Sequence, residues 1–172
     1  RRGLDFGAME AKLADIPAGD IICLHACCHN PSGVDPSLEQ WQRIAKIAQQ
    51  QQLVVLLDFA YQGFGGGLQE DAACLEPLVN SGCDLLICNS FSKNFGLYSE
   101  RVGALTMVAS SADAAAAALS HAKSTVRANY SNPPKHGAAV VTTILDDAQL
   151  RSQWEQELTD MRQRISDMRQ RF

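Results

Sequence analysis

Four short runs of apolar residues, each bounded by polar or turn-forming residues, dominate the pattern along the chain. They predict strands over Ile21–Cys27, Leu53–Phe59, Asp84–Asn89 and Val102–Ala109. The runs are almost continuously hydrophobic, which is typical of strands that are buried on both faces of a sheet. The pattern therefore predicts an interior sheet.

Helical periodicity separates the first three runs. After Asp35, an expected N-cap residue, and Pro36, which suits a first helical position, apolar residues recur at helical spacing. A shorter helix is expected over Asp71–Asn80, and Gly82 is expected to end it. Strands that alternate with helices predict an α/β fold with parallel strands.

The connection between the third and fourth predicted strands is different. Only the segment from Ser90 to Arg101 lies between them, and it shows no helical pattern. A parallel return normally needs a dozen or more residues and a helix. We therefore expect the fourth strand to run antiparallel to the third, with this loop at the C-terminal end of the third strand.

Three helices are expected in the rest of the chain. They are predicted over about Ala112–Arg127, His136–Leu145 and Ala148–Arg171, with Asp147 as the cap of the last one. The segment Asn129–Pro134 between the first two is expected to be a loop, because its two prolines block a helix.

Composition excludes some classes of partner. The chain has 172 residues, of which 46% are hydrophobic and 20% charged, and its net charge is -4. The negative charge argues against a nucleic acid or an anionic membrane as a partner. No apolar run approaches the roughly 20 residues that cross a bilayer. The six cysteines, mostly in or beside apolar runs, are expected to be reduced thiols of a cytoplasmic protein.

The motif HACCH raises the question of a metal site. Its four potential ligands are His25, Cys27, Cys28 and His29. If this segment is a strand, neighbouring side chains point to opposite faces of the sheet and could not converge on one ion. No metal site is therefore predicted.

Polar side chains follow the predicted strands at the ends where α/β sheets bind ligands. Asn30 follows the first strand, Asp58 closes the second, and Tyr61 comes three residues later. An Asn-Pro turn and a capping carboxylate remain open as purely structural explanations. Because a carboxylate at the end of a buried strand is costly unless paired, Asp58 is also a candidate partner of a cationic nitrogen.

The stretch NSFSKNFGLYSERVG carries the third group of polar side chains. Ser90 and Ser92 alternate, so both hydroxyls are expected to face one side, and Arg101 returns at the start of the next strand. Hydroxyls and a guanidinium form a cradle for a phosphate or carboxylate, although a solvated surface loop remains open. Lys93 is either a counter-charge or a nucleophile that forms an imine with a carbonyl.

Together, these groups match the phosphate, aldehyde, ring nitrogen and ring oxygen of pyridoxal phosphate. The segments CCHNPSGVDPSLEQWQ, DFAYQGFG, SFSKNFGLYSERVGA and RANYSNPPKHGA resemble the aspartate and aromatic aminotransferases of the class I aminotransferase family. The likeness runs through essentially the whole chain, with Ser32 where the family often has Thr. It implies transamination between aspartate, or an aromatic amino acid, and 2-oxoglutarate, by a cytoplasmic homodimer that uses pyridoxal 5′-phosphate.

The resemblance also implies roles for the site residues. Lys93 would hold the cofactor as an internal aldimine and shuttle the substrate proton. Asp58 would keep the ring nitrogen protonated, while Asn30 and Tyr61 would hydrogen-bond the ring 3-oxygen; Asn30 would also contact substrate. The phosphate ligands would be Ser90, Ser92 and Arg101.

Arg127, in TVRANY, resembles the arginine that reaches the partner subunit's site and binds the distal carboxylate of a dicarboxylic substrate. From the residues alone, an arginine that complements the helix dipole is the simpler explanation.

Chains of the family are longer than this one. The resemblance implies that residues 1–146 are part of a large cofactor-binding domain, with helices on both faces of a mostly parallel sheet that has one antiparallel strand. Residues 147–172 would be a long helix leading toward a small domain. The alternative is a non-catalytic fragment that lacks the ring-stacking residue and the arginine for the substrate α-carboxylate. A generic phosphate-binding domain would leave Lys93, Asp58 and Tyr61 without a role.

Overall fold

The strands form one mixed sheet in a computed structural model that describes residues 3–171. They are β1 (Ile21–His25), β2 (Val54–Phe59), β3 (Leu85–Ser90) and β4 (Gly103–Val108), in the spatial order β1-β2-β3-β4. Strands β1, β2 and β3 are parallel, and β4 is antiparallel to β3. This confirms the predicted α/β fold and the reversal of the fourth strand.

The helices connect and flank the strands. They are α1 (Phe6–Ala14), α2 (Leu38–Gln50), α3 (Leu75–Ser81), α4 (Ala112–Tyr130), α5 (Lys135–Asp146) and α6 (Ala148–Arg171). A short 3-10 turn, Glu70–Ala72, precedes α3. The sequence did not predict α1, which the side chain of Asp5 caps by accepting the backbone N–H of Ala8.

The N-terminus of α2 differs from the prediction. Ser37, and not Asp35, is the N-cap: its hydroxyl accepts the N–H of Gln40, whose side chain accepts the N–H of Ser37 in return. This reciprocal pair outcompetes the earlier carboxylate, because it satisfies two donors at once. Pro36 therefore precedes the helix, and Asp35 instead accepts two backbone N–H groups that follow β1.

Other boundaries shift by a few residues. Strand β1 ends at His25, two residues before the predicted end. Gly82 ends α3 in the left-handed conformation, with φ of 76°, as predicted. Helix α4 continues to Tyr130, so the predicted loop from Asn129 begins too early. Asp147 caps α6 as predicted, since its carboxylate accepts two backbone N–H groups of that helix.

The core lies between one face of the sheet and helices α1, α2 and α3. Strand β2 buries Val55, Leu57 and Phe59 on that face, where they meet Ile44 of α2 and Leu78 of α3. Fully burying such a side chain contributes about 1.5–3 kcal/mol. The alternate residues of β2, which point to the opposite face, are only half-buried. The prediction that both faces are buried therefore holds for one face of the sheet within the described residues.

None of the helices in residues 3–171 combines the length and apolar character needed to cross a bilayer.

Candidate active site

The polar strand ends meet at one edge of the sheet. Because β1, β2 and β3 are parallel, their C-terminal residues lie side by side, and His25 is in register with Asp58. A cavity of about 400 Å³, here called the lysine cavity, opens at this edge. Its lining includes Cys28, Asn30, Tyr61, Lys93, Tyr98 and Arg169.

Lys93 faces the ring of Tyr61 inside the lysine cavity. Its Nζ lies 4.6 Å from the ring centroid, within the range of a cation–π contact. Lys93 belongs to the turn that follows β3, here called the lysine loop (residues 91–96), which the N–H of Gly96 closes on the carbonyl of Lys93. The two residues were predicted to share a site, and the structure brings them together.

The side chain of Asp58, near the end of β2, is accessible to solvent, with 45% of its surface exposed. Its Oδ2 lies 4.0 Å from Nε2 of His25. Nδ1 of His25 accepts the backbone N–H of Asn30, so the neutral ring carries its proton on Nε2, toward Asp58. His25 therefore links two predicted site residues. The motif HACCH suggested His25 only as a metal ligand, although parallel pairing of the two strand ends is the signal that places it beside Asp58.

The backbone segments that carry the three predicted phosphate ligands lie side by side. The N–H of Phe91 donates to the carbonyl of Val102, which brings the segment before β4 alongside the end of β3. The expected alternation stops at Ser90, because the chain turns there and the hydroxyl of Ser90 accepts the N–H of Ser92. Ser92 is buried, and the guanidinium of Arg101 donates to the carbonyl of Tyr98.

Arg127 lies apart from these groups. It is exposed near the C-terminus of α4, where its guanidinium donates to the hydroxyl of Ser131. Like Asp58, Ser90, Ser92 and Arg101, it is not among the described residues that line the lysine cavity.

A loop of glycines follows Tyr61 and is ordered by a buried carboxylate. Asp71 is 7% exposed and accepts the backbone N–H groups of Gly63, Gly65 and Gly66, at 2.8, 3.0 and 2.7 Å. The sequence pattern predicts Asp71 at the start of a helix and does not reveal this role. Aspartate bonding to nearby backbone N–H groups is the signal that could have revealed it.

Helix α6 holds both loops of the site. Nε1 of Trp154 donates to the carbonyl of Asn94 at 2.7 Å, and its ring stacks on Phe95 with centroids 4.4 Å apart. Arg162 donates to the carbonyl of Gly63 at 3.1 Å. A Cβ at position 63 would lie 2.3 Å from a methyl carbon of Leu158, so α6 packs directly against this glycine.

Only the first residue of the HACCH motif, His25, lies in a strand, so the strand geometry used against a metal site does not apply to Cys27, Cys28 and His29. Cys27 and Cys28 follow the end of β1, and their sulfurs lie near a carboxylate oxygen of Asp71. The neighbouring thiol of Cys27 lowers the pKa of Cys28. The same contact with Cys28, together with burial, raises the pKa of Cys27.

The model of the family described as aminotransferase class I and II matches residues 1–172. An aspartate aminotransferase of Salmonella typhi is 55% identical over 169 residues, which are 98% of this chain and 43% of that protein. An aromatic amino acid aminotransferase from Burkholderia cenocepacia superposes with a TM-score of 0.95 and 48% identity, over 98% of this chain and 42% of that one.

A second solved structure is the aromatic-amino-acid aminotransferase from Burkholderia pseudomallei covalently bound to pyridoxal phosphate. It has a TM-score of 0.95 and 46% identity, over 98% of this chain and 42% of that one. The present chain thus spans about two fifths of the length of the relatives that it matches.

Proposed function

Because the chain belongs to the class I and II aminotransferase family, we propose that the full-length protein transfers amino groups between amino acids and 2-oxo acids with pyridoxal 5′-phosphate as cofactor. The observation that carries the proposal is the lysine cavity, where Nζ of Lys93 faces the ring of Tyr61 at 4.6 Å. The cavity lies at the sheet edge where α/β folds bind ligands.

The residues at this edge fit the proposed cofactor. Lys93 offers the amino group inside the lysine cavity. The half-exposed carboxylate of Asp58, on the neighbouring strand β2, would accept a hydrogen bond from a cationic ring nitrogen. Ser90, Ser92 and Arg101 would bind the phosphate, although Ser92 is buried and the guanidinium of Arg101 donates to the carbonyl of Tyr98 in this structure. When bound, pyridoxal phosphate supplies a carbonyl carbon that reacts with amines and a ring that accepts electrons.

Each side chain then has one task. Lys93 would hold the cofactor through Nζ and, once free of it, would move a proton at the substrate Cα. Asp58 would accept a hydrogen bond from the protonated ring nitrogen, while Tyr61 and Asn30 would donate to the ring oxygen. Ser90, Ser92 and Arg101 would bind the phosphate.

His25 lies beside Asp58. Its Nδ1 accepts the N–H of Asn30, which orients the ring, and its Nε2 lies 4.0 Å from Oδ2 of Asp58, beyond hydrogen-bond distance.

We further propose aspartate, or an aromatic amino acid, and 2-oxoglutarate as substrates, in a cytoplasmic homodimer. Both kinds of aminotransferase are among the similar proteins, which supports either choice. Arg127, remote from the lysine cavity of its own chain, would bind the distal carboxylate in the partner's site. Residues 1–146 would belong to the large cofactor-binding domain, and residues 147–172 would lead toward a further domain.

The test uses the five lysines of the chain. The full-length protein is incubated with pyridoxal phosphate, reduced with borohydride and digested, and the adduct is located by mass. We expect it on Lys93, and the positions for comparison are Lys12, Lys46, Lys123 and Lys135. Lys93→Arg should abolish labelling, whereas Lys46→Arg should leave it intact. Labelling spread evenly over all five would refute the proposed site.

The activity itself needs a separate measurement. Half-transamination of the full-length protein with aspartate, glutamate, phenylalanine or tyrosine should change the cofactor spectrum. No change with any of the four amino acids would overturn the proposed reaction even if Lys93 is labelled.

A second candidate is that this chain by itself is a non-catalytic piece. It spans only 43% of the Salmonella typhi relative, which favours this reading. Turnover by the isolated 172-residue polypeptide, with no second chain present, would exclude it.

A further inference from the structure

Two adjacent thiols and a buried carboxylate meet beside the lysine cavity, which Cys28 lines. Cys27 and Cys28 lie just after β1, and Asp71 lies in the 3-10 turn before α3. One ligand atom from each of the three residues lies within 4.8 Å of the others. This thiol–carboxylate cluster differs from the HACCH set, because neither histidine of that motif belongs to it.

The carboxylate of Asp71 is buried without a cationic partner among the ion pairs of the described residues. Buried charges in proteins are usually paired or coordinate a metal ion. Three backbone N–H groups compensate part of the charge, two on Oδ2 and one on Oδ1. A carboxylate oxygen can accept more than one bond, so Oδ1 remains able to bind a cation.

Gly65 lies against two of the three ligand atoms. A Cβ at this position would lie 2.4 Å from Oδ1 of Asp71 and 3.3 Å from Sγ of Cys28. A side chain there would collide with the carboxylate and crowd the thiol.

One side of the cluster is acidic. Cys27 and Asp71 line a second cavity, of about 250 Å³, together with the carboxylates of Asp35 and Glu70. No lysine or arginine is among the described residues that line it. Cys28 lines the lysine cavity beside the cationic Lys93 and Arg169, so a cation would enter from the acidic side.

We propose that Cys27, Cys28 and Asp71 form a binding site for a thiophilic divalent cation of the zinc and cadmium type. Two sulfurs and one oxygen are ligands that such ions accept in tetrahedral sites, and a fourth position would remain for water. Binding would release the thiol protons to the solvent. The cation would tie the segment before Asn30 to the loop after Tyr61.

The test is a Cd²⁺ titration of the full-length reduced protein in buffer free of chelators, followed by thiolate-to-cadmium ultraviolet absorption. One equivalent should saturate the band, and Zn²⁺ should displace it. Cys27→Ser and Cys28→Ser should each weaken binding by at least about tenfold. Cys23→Ser is the matched control, since Cys23 is an exposed thiol on β1 outside the cluster. Absence of a saturable band, or equal loss in the control, would overturn the proposal.

A second measurement needs no variant and so does not depend on variant folding. Alkylation of the unmodified protein is timed with and without one equivalent of Zn²⁺, and each cysteine is followed by peptide mass. Zn²⁺ should slow the reaction of Cys28 and leave that of Cys23 unchanged. Equal rates with and without the ion would count against the site. Because neither experiment uses pyridoxal phosphate, its result is independent of the proposed transamination.

Discussion

Trp154 should control the local stability of the lysine loop, although it lies 60 residues away in the sequence. Its indole N–H donates to the part-buried carbonyl of Asn94 at 2.7 Å, and its ring stacks on Phe95 at an interplanar angle of 18°. These contacts fix the two residues that follow Lys93. Replacing Trp154 therefore tests whether α6 holds the loop.

Two replacements separate the hydrogen bond from the stack. Trp154→Phe keeps an aromatic ring but removes the donor, which costs about 0.5–1.5 kcal/mol. Trp154→Ala also removes the stack and the apolar body. Truncation of a fully buried aromatic residue costs about 3–5 kcal/mol, so truncation of the half-buried Trp154 should cost less than this but more than Trp154→Phe. Since about 1.4 kcal/mol is a factor of ten, Trp154→Phe should increase the local opening equilibrium of the loop by up to about tenfold.

The assay is native-state amide hydrogen exchange of residues 91–96, followed by mass spectrometry on the full-length protein. Exchange should accelerate several-fold in Trp154→Phe and far more in Trp154→Ala. Gln153→Ala, an exposed change on the same helix, is the control and should leave exchange unchanged. If Trp154→Ala exchanges at the control rate, α6 does not anchor the lysine loop and the reasoning fails.

Three further predictions concern stability and thiol chemistry. Asp71→Asn should destabilise the protein by about 1–3 kcal/mol in thermal unfolding, because three backbone N–H groups lose a charged acceptor; an unchanged melting temperature would contradict this. Ser37→Ala should cost about 1 kcal/mol and Ser37→Gly only a few tenths, so equal losses would argue against the capping box. Burial raises the pKa of Cys74 from its ordinary value of 9.0 to about 12, so above pH 9.0 the folded protein retains a proton that the unfolded chain loses. The contribution of Cys74 to stability should therefore be complete below pH 9.0 and be lost as pH rises toward about 12; a Cys74→Ala variant with the same alkaline stability profile would refute it.

The strands and their directions were predictable from the sequence because they depend on local features. A continuous apolar run marks a buried strand, and a connection as short as residues 90–101 cannot easily return in parallel. The same local logic placed Asp58, Lys93 and Tyr61 at one sheet edge, since the ends of parallel strands meet there. These residues needed no tertiary information beyond strand order.

The boundaries and supporting contacts were less predictable, because they depend on competition. Both Asp35 and Ser37 are good N-cap residues, and the reciprocal bond of Ser37 with Gln40 decided between them. Asp71 read as an ordinary first-turn residue of a helix, whereas its carboxylate is committed to the glycine loop. Which of several local hydrogen-bond partners a side chain takes depends on the three-dimensional path of the backbone, which the sequence pattern does not provide.

The contacts between α6 and the site join residues far apart in the sequence, so no local sequence pattern could predict them. Arg162 binds the carbonyl of Gly63 across 99 residues, and Trp154 binds that of Asn94 across 60. One rigid helix therefore contacts the loop after Tyr61 and the loop that carries Lys93. Since both loops border the lysine cavity, a shift of α6 along its axis would move the two walls together. The distance between Lys93 and Tyr61 should then be less sensitive to α6 than the position of the pair relative to Asp58, which sits on β2 and has no bond to that helix among the described contacts.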